Sequence, residues 1–301
     1  MEYTRHIVLV LAATLLLAAC GCVKKTVDLP APDIPSEPPA TPTEPPAAPR
    51  EITYTLMTYN VGAFSKYKET LGHYSFEEVA AVIRSVGSRV VGLNETDWEA
   101  KRSDGLHQAE VMATTLGKDW GFHFSPAAYT WYGNSMVWDQ SLDVQQEFTQ
   151  LELPKTDGSE VRSMGAVEFK DFVYCVTHLD HRSETDRLNA VALITDWVAT
   201  RYAASGKPVF LVGDMNAEPR SSTIKAFEES WTQLSGIEFS FSTKNLSKCI
   251  DYIFVYNNGA EKRVQVLQQG IVTPKKFAAV GDASDHCPVW VTVKWLAENN
   301  D

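Results

Sequence analysis

Val209-Phe210-Leu211-Val212-Gly213-Asp214-Met215-Asn216 decides how this 301-residue chain is read. Four consecutive apolar residues describe a strand buried on both faces. Polar groups follow only at its C-terminal end, where a carboxylate and an amide two residues apart on an extended turn project toward one point. The arrangement recurs along the chain. Thr58-Tyr59-Asn60 closes the alternating strand 52–59, Leu93-Asn94-Glu95 closes the short buried strand 90–93, and Thr177-His178 closes 172–177. Ser284-Asp285-His286 precedes the strand 289–295, and Ile250-Asp251-Tyr252 places a carboxylate near the start of 250–255. One such residue is usually a turn former or a cap. Six segments of this kind at strand ends point instead to a common site.

The intervening sequence sets the fold class. Ser75 and Glu78 have capping-box spacing, and Val79, Val82, Ile83 and Val86 then recur at helical spacing up to Gly87. Residues 106–116 and 183–202 read as further helices, the second with Leu188, Val191, Ala192, Ile194 and Val198 on its apolar face. Further strand-like stretches lie at 121–129, 134–138, 142–148, 161–169 and 264–269. Strands outnumber helices and polar clusters sit at strand ends, which predicts two sheets packed face to face with helices outside. No second Pro- or Gly-rich linker interrupts residues 51–301, so they are expected to form one domain.

Composition supports a globular protein: 44% of residues are hydrophobic, 11% are aromatic and eight are Trp, enough to bury a large core. The net charge of −11, of which −10 falls on residues 51–301, argues against a broad basic surface that tracks a nucleic-acid backbone, though it leaves a local basic groove open. Arg5 and the apolar run 7–19, closed by Leu17-Ala18-Ala19-Cys20, read as a signal peptide over 1–19. Thirteen helical residues span only about 20 Å, short of the ~30 Å hydrocarbon core. Leu-Ala-Ala-Cys resembles the bacterial lipobox, which implies a lipid on Cys20 as the mature N-terminus and an exported protein anchored in the cell envelope; an ordinary secretory signal is the alternative. Residues 26–50 hold nine of the fifteen prolines and predict an extended linker reaching up to roughly 80 Å. The expected division is therefore 1–19 leader, 20–50 lipidated N-terminus and linker, and 51–301 catalytic domain. Cys175, Cys249 and Cys287 remain in that domain, an odd number; Cys249 and Cys287 flank Asp251 and His286 and could approach each other if those motifs converge.

A hard divalent ion such as Mg²⁺ needs oxygen ligands, which Glu95, Asp285 and Asn60 offer, and no Cys or His grouping has zinc spacing. A histidine oriented by a carboxylate is the usual means of taking a proton from water at neutral pH, a role that fits His286 with Asp251. Asp214 and Asn216 are placed to align a nucleophile with phosphorus, and His178 to donate to a phosphate oxygen.

The ordered set T-Y-N, L-N-E, T-H-L, G-D-M-N, I-D-Y and S-D-H-C-P is similar to that of the endonuclease/exonuclease/phosphatase superfamily, over essentially all of 51–301. The resemblance implies a DNase I-like, four-layer α-β-β-α sandwich, a Mg²⁺ or Mn²⁺ ion and in-line attack of water on a phosphodiester or phosphomonoester. On it, Glu95 would be the principal metal ligand, with Asn60 and Asp285 completing the site. Asp214 and Asn216 would hold the nucleophile and phosphoryl group, His286 with Asp251 would be the base pair, and His178 would stabilise the transition state or leaving group. Asn94 departs from the Gln usual before that Glu. His178-Leu179-Asp180-His181 with Arg187 resembles members with a His at this point, making Asp180, His181 and Arg187 secondary candidates against a helix cap and an ion pair. Asn134 is a further secondary candidate; Trp131, Tyr132 and Trp138 around it are weighed as packing against stacking on a base. His73, His107 and His123 are expected to be solvated or structural. The expected partners are a phosphate-ester substrate (nucleic acid, phospholipid headgroup or small phosphoester) and, through the lipid, a membrane. A surface lipoprotein that binds a phosphorylated ligand without turnover is the competing class. Substrate choice is expected to lie in the loops 64–74, 96–105 and 235–248.

Overall fold

The computed structural model describes residues 50–65 and 72–297, so the leader, Cys20 and the proline-rich stretch lie outside the described residues, as does part of the loop 64–74. Two six-stranded sheets make up the domain. The first runs β11-β12-β1-β2-β4-β3 and comprises β1 (Arg50–Asn60), β2 (Val90–Asp97), β3 (Trp120–Tyr129), β4 (Tyr132–Asp139), β11 (Gln265–Ile271) and β12 (Val289–Ala297). The second runs β5-β6-β7-β8-β10-β9 and comprises β5 (Val144–Leu153), β6 (Arg162–Phe169), β7 (Val173–His178), β8 (Val209–Asp214), β9 (Trp231–Gln233) and β10 (Asp251–Tyr256). Each sheet is built around one parallel pair joined by a helical crossover. β1 and β2 are linked by α1 (Phe76–Val86), and β7 and β8 by α3 (Glu184–Tyr202); the remaining pairings are antiparallel. Helices α2 (Gln108–Leu116), α4 (Ser222–Glu228) and α5 (Ala279–Ala283) complete the outer layers.

The unbroken apolar run of β8 follows from this layering. Phe210 and Val212 enter the core between the sheets, while Val209 and Leu211 pack under α3 with Ile194 and Val198. β7 and β10 divide their side chains in the same way, with Tyr174 and Val176, Ile253 and Val255 facing inward. Phe172, Phe210 and Trp295 meet at centroid distances of 5.8–6.0 Å between the sheets. Two glycines let the layers close. A Cβ on Gly92 would lie 2.5 Å from a Val212 methyl carbon in the facing sheet, and one on Gly213, at φ +148°, would lie 1.8 Å from the Thr177 carbonyl oxygen.

Local signals are met in part. Ser183 caps α3 by accepting the Asp186 N–H at 3.1 Å, and Gly87 ends α1 in the left-handed conformation. Ser75 marks the start of α1 but does not cap it. Its hydroxyl donates instead to the carbonyls of Phe64 and Ala283, tying α1 to the segments around the site. β5 continues to Leu153, beyond the expected 142–148, through two register shifts that break its alternation. The short elements α4, β9 and α5 escaped periodicity because three to seven residues do not complete a pattern. Among the described residues, no helix is long and apolar enough to cross a membrane.

Candidate active site

All six polar segments arrive at one end of the sandwich, for a reason of strand direction. The parallel strands β1, β2, β7 and β8 deliver their C-terminal residues there. Their antiparallel neighbours β12, β4, β6 and β10 deliver their N-terminal ones, so Asp251 pairs across the ladder with Asp214 and Asn94 with Asn134. Glu95 is the extra residue of a β-bulge at φ +59°, and Asn216 follows β8 at φ +45°. These conformations are costly for residues with a side chain, and they re-aim both groups out of the ladder and toward the cleft.

Asn60 Nδ2 donates to Glu95 Oε1 at 2.9 Å and to Asp214 Oδ2 at 3.2 Å. Asn94 is fully used: its amide donates to Asn134 Oδ1 at 2.9 Å and to the Thr177 carbonyl at 2.8 Å, and its oxygen accepts the Asp214 N–H at 3.0 Å. Asn134 in turn donates to the Ser163 carbonyl at 3.1 Å. The shorter amide at position 94 therefore still bridges the two sheets behind Glu95. Asn216 N–H closes a tight turn onto Asp214 Oδ1 at 2.8 Å.

Two buried histidines flank Asp214. His286 Nδ1 bonds Asp251 Oδ2 at 2.9 Å, and that oxygen also accepts the Ser240 hydroxyl at 2.6 Å. His286 Nε2 lies 3.7 Å from Asp214 Oδ2. Burial opposes the charged ring, but the Asp251 carboxylate outweighs it and, with Asp214 and Asp285, pushes the pKa up to about 10. His178 Nε2 lies 3.5 Å from the same Asp214 oxygen, while its Nδ1 faces Arg162 Nη1 at 3.1 Å. A guanidinium can only donate, so Nδ1 accepts from Arg162, while Nε2 also faces the Asn216 amide nitrogen Nδ2 at 2.9 Å. Burial and the Arg162 charge hold its pKa well below the ordinary histidine value. Asp214 is pushed up, first by burial and then by Asp251.

The donor set fits a hard cation. Ligand atoms of Asp214, Asp251 and His286 lie within 4.8 Å of one another, all three residues are buried, and Asp251 Oδ1 is buried with no hydrogen-bond partner. Glu95 and Asp285 add carboxylates to the same cleft, whose volume is about 670 Å³. Cys175, Cys249 and Cys287 are free thiols, so the bridge between the last two, left open above, is not formed, and burial pushes Cys249 up to about 11. The compact acidic group thus includes residues expected to act as aligner and base rather than as metal ligands.

A model of the endonuclease/exonuclease/phosphatase family matches residues 57–286, from β1 to the cleft histidine. The chain belongs to this family. Among solved structures with the family's fold, a mannosyl-6-phosphatase from Bacteroides thetaiotaomicron shares 17% identity at a TM-score of 0.62, covering 80% of this chain and 99% of that one. ANGEL2, a 2′,3′-cyclic phosphatase, shares 13% identity at 0.62 over 81% and 95% of the two chains. A family member from Beutenbergia cavernae shares 19% at 0.63 over 81% and 72%. At these identities the likeness is one of fold, the DNase I-like sandwich of two mixed sheets with flanking helices. No curated protein sequence matches the chain.

Of the family-motif residues, Asn60, Glu95, His178, Asp214, Asn216, Asp251 and His286 converge, and Asp285, His181 and Arg187 line the same cleft. Asp180 does not line it. Its carboxylate accepts from Ser159, Arg182 and Ser183 and lies below the usual carboxylate range despite partial burial, an anchoring role. Asn134 stands behind the cleft as a sheet bridge. Trp138 is core, packed on Phe169, and Tyr132 is a buried wall of the cleft. Trp131 stacks on Tyr129 with Arg102 also against its ring. His107 stacks on Trp98 and His123 bonds Glu147, both structural, while the exposed His73 pairs with Glu78. Arg162 and Ser240 were missed. Arg162 is the first residue of a buried strand antiparallel to β7, and reading strand starts as well as strand ends finds it; Ser240 lies in an irregular loop that carries no such signal.

Proposed function

We propose that this chain is a divalent-metal-dependent phosphoesterase in which His286, oriented by Asp251, takes the proton of the attacking water. The observation that carries this reading is the 2.9 Å Asp251–His286 pair opening onto Asp214 in a cleft rich in carboxylates. Glu95, Asn60 and Asp285 would hold Mg²⁺ or Mn²⁺, whose chemistry would be to neutralise charge developing on the phosphoryl oxygens. With the Asp251, Asp214 and Asp285 carboxylates around it, the His286 pKa is pushed up to about 10 and the ring keeps its proton at neutral pH. Positive charge beside those carboxylates lowers its pKa toward the range in which a base works. Asp214 and Asn216 hold the water and phosphoryl group in line, and the neutral His178 offers its Nε2 proton to a phosphoryl oxygen. The reaction forms a bond from the water oxygen to phosphorus, breaks the ester P–O bond, and passes a proton to the departing oxygen.

Two relatives in fold, named as a mannosyl-6-phosphatase and a 2′,3′-cyclic phosphatase, support phosphate esters as the substrate class. The test is hydrolysis by the purified chain, with Mg²⁺, Mn²⁺ or EDTA, of p-nitrophenyl phosphate, bis-p-nitrophenyl phosphate, DNA, RNA and sphingomyelin. Metal-dependent release that is lost in His286→Ala is expected. Binding of phosphate without turnover in any metal would favour a silent binder. For the N-terminus, the run ending in Cys20 supports export and lipid anchoring; labelled palmitate incorporated by cells making the wild-type chain and lost in Cys20→Ala is the expected result, and equal labelling overturns it.

A further inference from the structure

Arg162 is a buried cation whose surroundings supply one carboxylate and two imidazoles. It is 5% exposed, and its contacts are His178 Nδ1 at 3.1 Å, His181 Nδ1 at 3.4 Å and one carboxylate, Glu160 Oε1, at 3.3 Å. Its Nε is buried with no partner. Arg102, by contrast, grips Asp97 with two bonds of 2.7 and 2.8 Å. A buried charge left under-compensated is costly, and one that faces a cleft is relieved by an anion. Arg187 lines the same cleft, bonded to the Asp180 carbonyl at 2.8 Å and to Thr223 Oγ1 at 3.3 Å, with no carboxylate ion pair among the described residues. Both arginines are held rigidly. The Asp186 and Asp180 carboxylates collect the N–H groups of Thr156, Asp157, Gly158 and Ser159, which fixes the segment leading into Arg162.

We propose that Arg162 and Arg187 form an anion subsite beside His178 that makes the cleft selective for a terminal phosphate, the dianion of a phosphomonoester, over a diester. The inference rests on the phosphoesterase reading above and names its substrate class. A terminal phosphate carries close to two charges at neutral pH and three free oxygens, whereas a diester carries one charge and two. A second guanidinium therefore gains most from the monoester, because charge-assisted bonds strengthen with the charge they meet. Arg162 contacts the same imidazole that faces Asp214, so an anion held at the reacting end lies within reach of it. Glu160, as a competing carboxylate, weakens the subsite.

The test compares p-nitrophenyl phosphate with bis-p-nitrophenyl phosphate, both in Mn²⁺, in wild type, Arg162→Gln, Arg162→Lys, Arg187→Gln and Glu160→Gln. Wild type is expected to favour the monoester in kcat/KM by at least about 10-fold. Arg162→Gln should lower kcat/KM on both esters through His178, but on the monoester by about 10-fold more than on the diester, the excess falling mainly in KM. Arg162→Lys should recover part of the loss, Arg187→Gln should repeat it more weakly, and Glu160→Gln should lower KM for the monoester. Inorganic phosphate, titrated calorimetrically in EDTA, should bind Arg162→Gln at least about 10-fold more weakly than wild type. A wild-type preference for the diester, or equal losses on both esters, overturns the inference and leaves the phosphoesterase standing. Turnover of neither ester, with phosphate binding still lost in Arg162→Gln, sinks the phosphoesterase reading and keeps the anion subsite; phosphate binding unaffected by both arginine variants removes the subsite.

Discussion

His178 and His286 reach the same Asp214 oxygen from opposite sheets, at 3.5 and 3.7 Å, yet stand in opposite charge states. Both are 5% exposed, so burial disfavours the charged ring about equally on the two walls. The partner on the far nitrogen makes the difference. Asp251 holds His286 protonated, and Arg162 forces His178 to accept and stay neutral. Two identical side chains are thereby given different charge environments, which suit the proposed roles of base for one and donor for the other. The distinction lies in the second ring nitrogen rather than in the group that faces the substrate.

The comparison breaks most visibly at turnover. His286→Ala is expected to lower kcat by at least about 10²-fold with the fold retained by circular dichroism, whereas near-normal turnover would end its assignment as the base. Glu95→Gln should raise the Mg²⁺ or Mn²⁺ concentration needed for half-maximal activity by about 10-fold or more, and an unshifted titration would take Glu95 out of the metal site. Nitrogen NMR on metal-free protein sharpens the contrast directly. The His286 ring should remain protonated at pH 8, since its pKa stands near 10, and in Asp251→Asn that pKa should fall by more than about one unit. A ring already neutral at pH 8 in wild type would mean that Asp251 does not set the charge.

The smallest effect concerns stability on the other wall. His178 has a folded pKa below its unfolded value of about 6.5, so below that pH the unfolded chain takes up a proton that the folded chain refuses. The stability linked to neutral His178 is present above pH ~6.5 and is lost as pH falls through the folded value. Metal-free wild type should therefore lose a few degrees more of Tm than His178→Gln between about pH 7 and 5; parallel melting curves would show that the ring is not held neutral.

Much of this was legible before any coordinates. The apolar run 209–212 reads as a doubly covered strand because period-2 side chains need a core on each face, and that is how Phe210 and Leu211 are divided. The six polar segments were visible because hydrophilic residues at the ends of apolar strands are conspicuous in one dimension. Arg162 was not, since a charged residue opening a strand looks like an ordinary loop boundary until the antiparallel register places it beside His178. Asp180 was equally ambiguous, and only its hydrogen bonds to the 159 and 182–183 backbone made it an anchor.

The sequence by itself determined the class of the fold, the polar side chains that meet in the cleft and their order along the chain, because periodicity and strand-end chemistry are local properties. Tertiary structure alone decided which group faces each nitrogen of the two histidines, which carboxylates crowd together, and that one buried arginine meets a single carboxylate at the cleft. Those outcomes depend on distances between residues far apart in the chain, such as the 35 positions between Asp251 and His286, and on a burial that only the closing of two sheets creates.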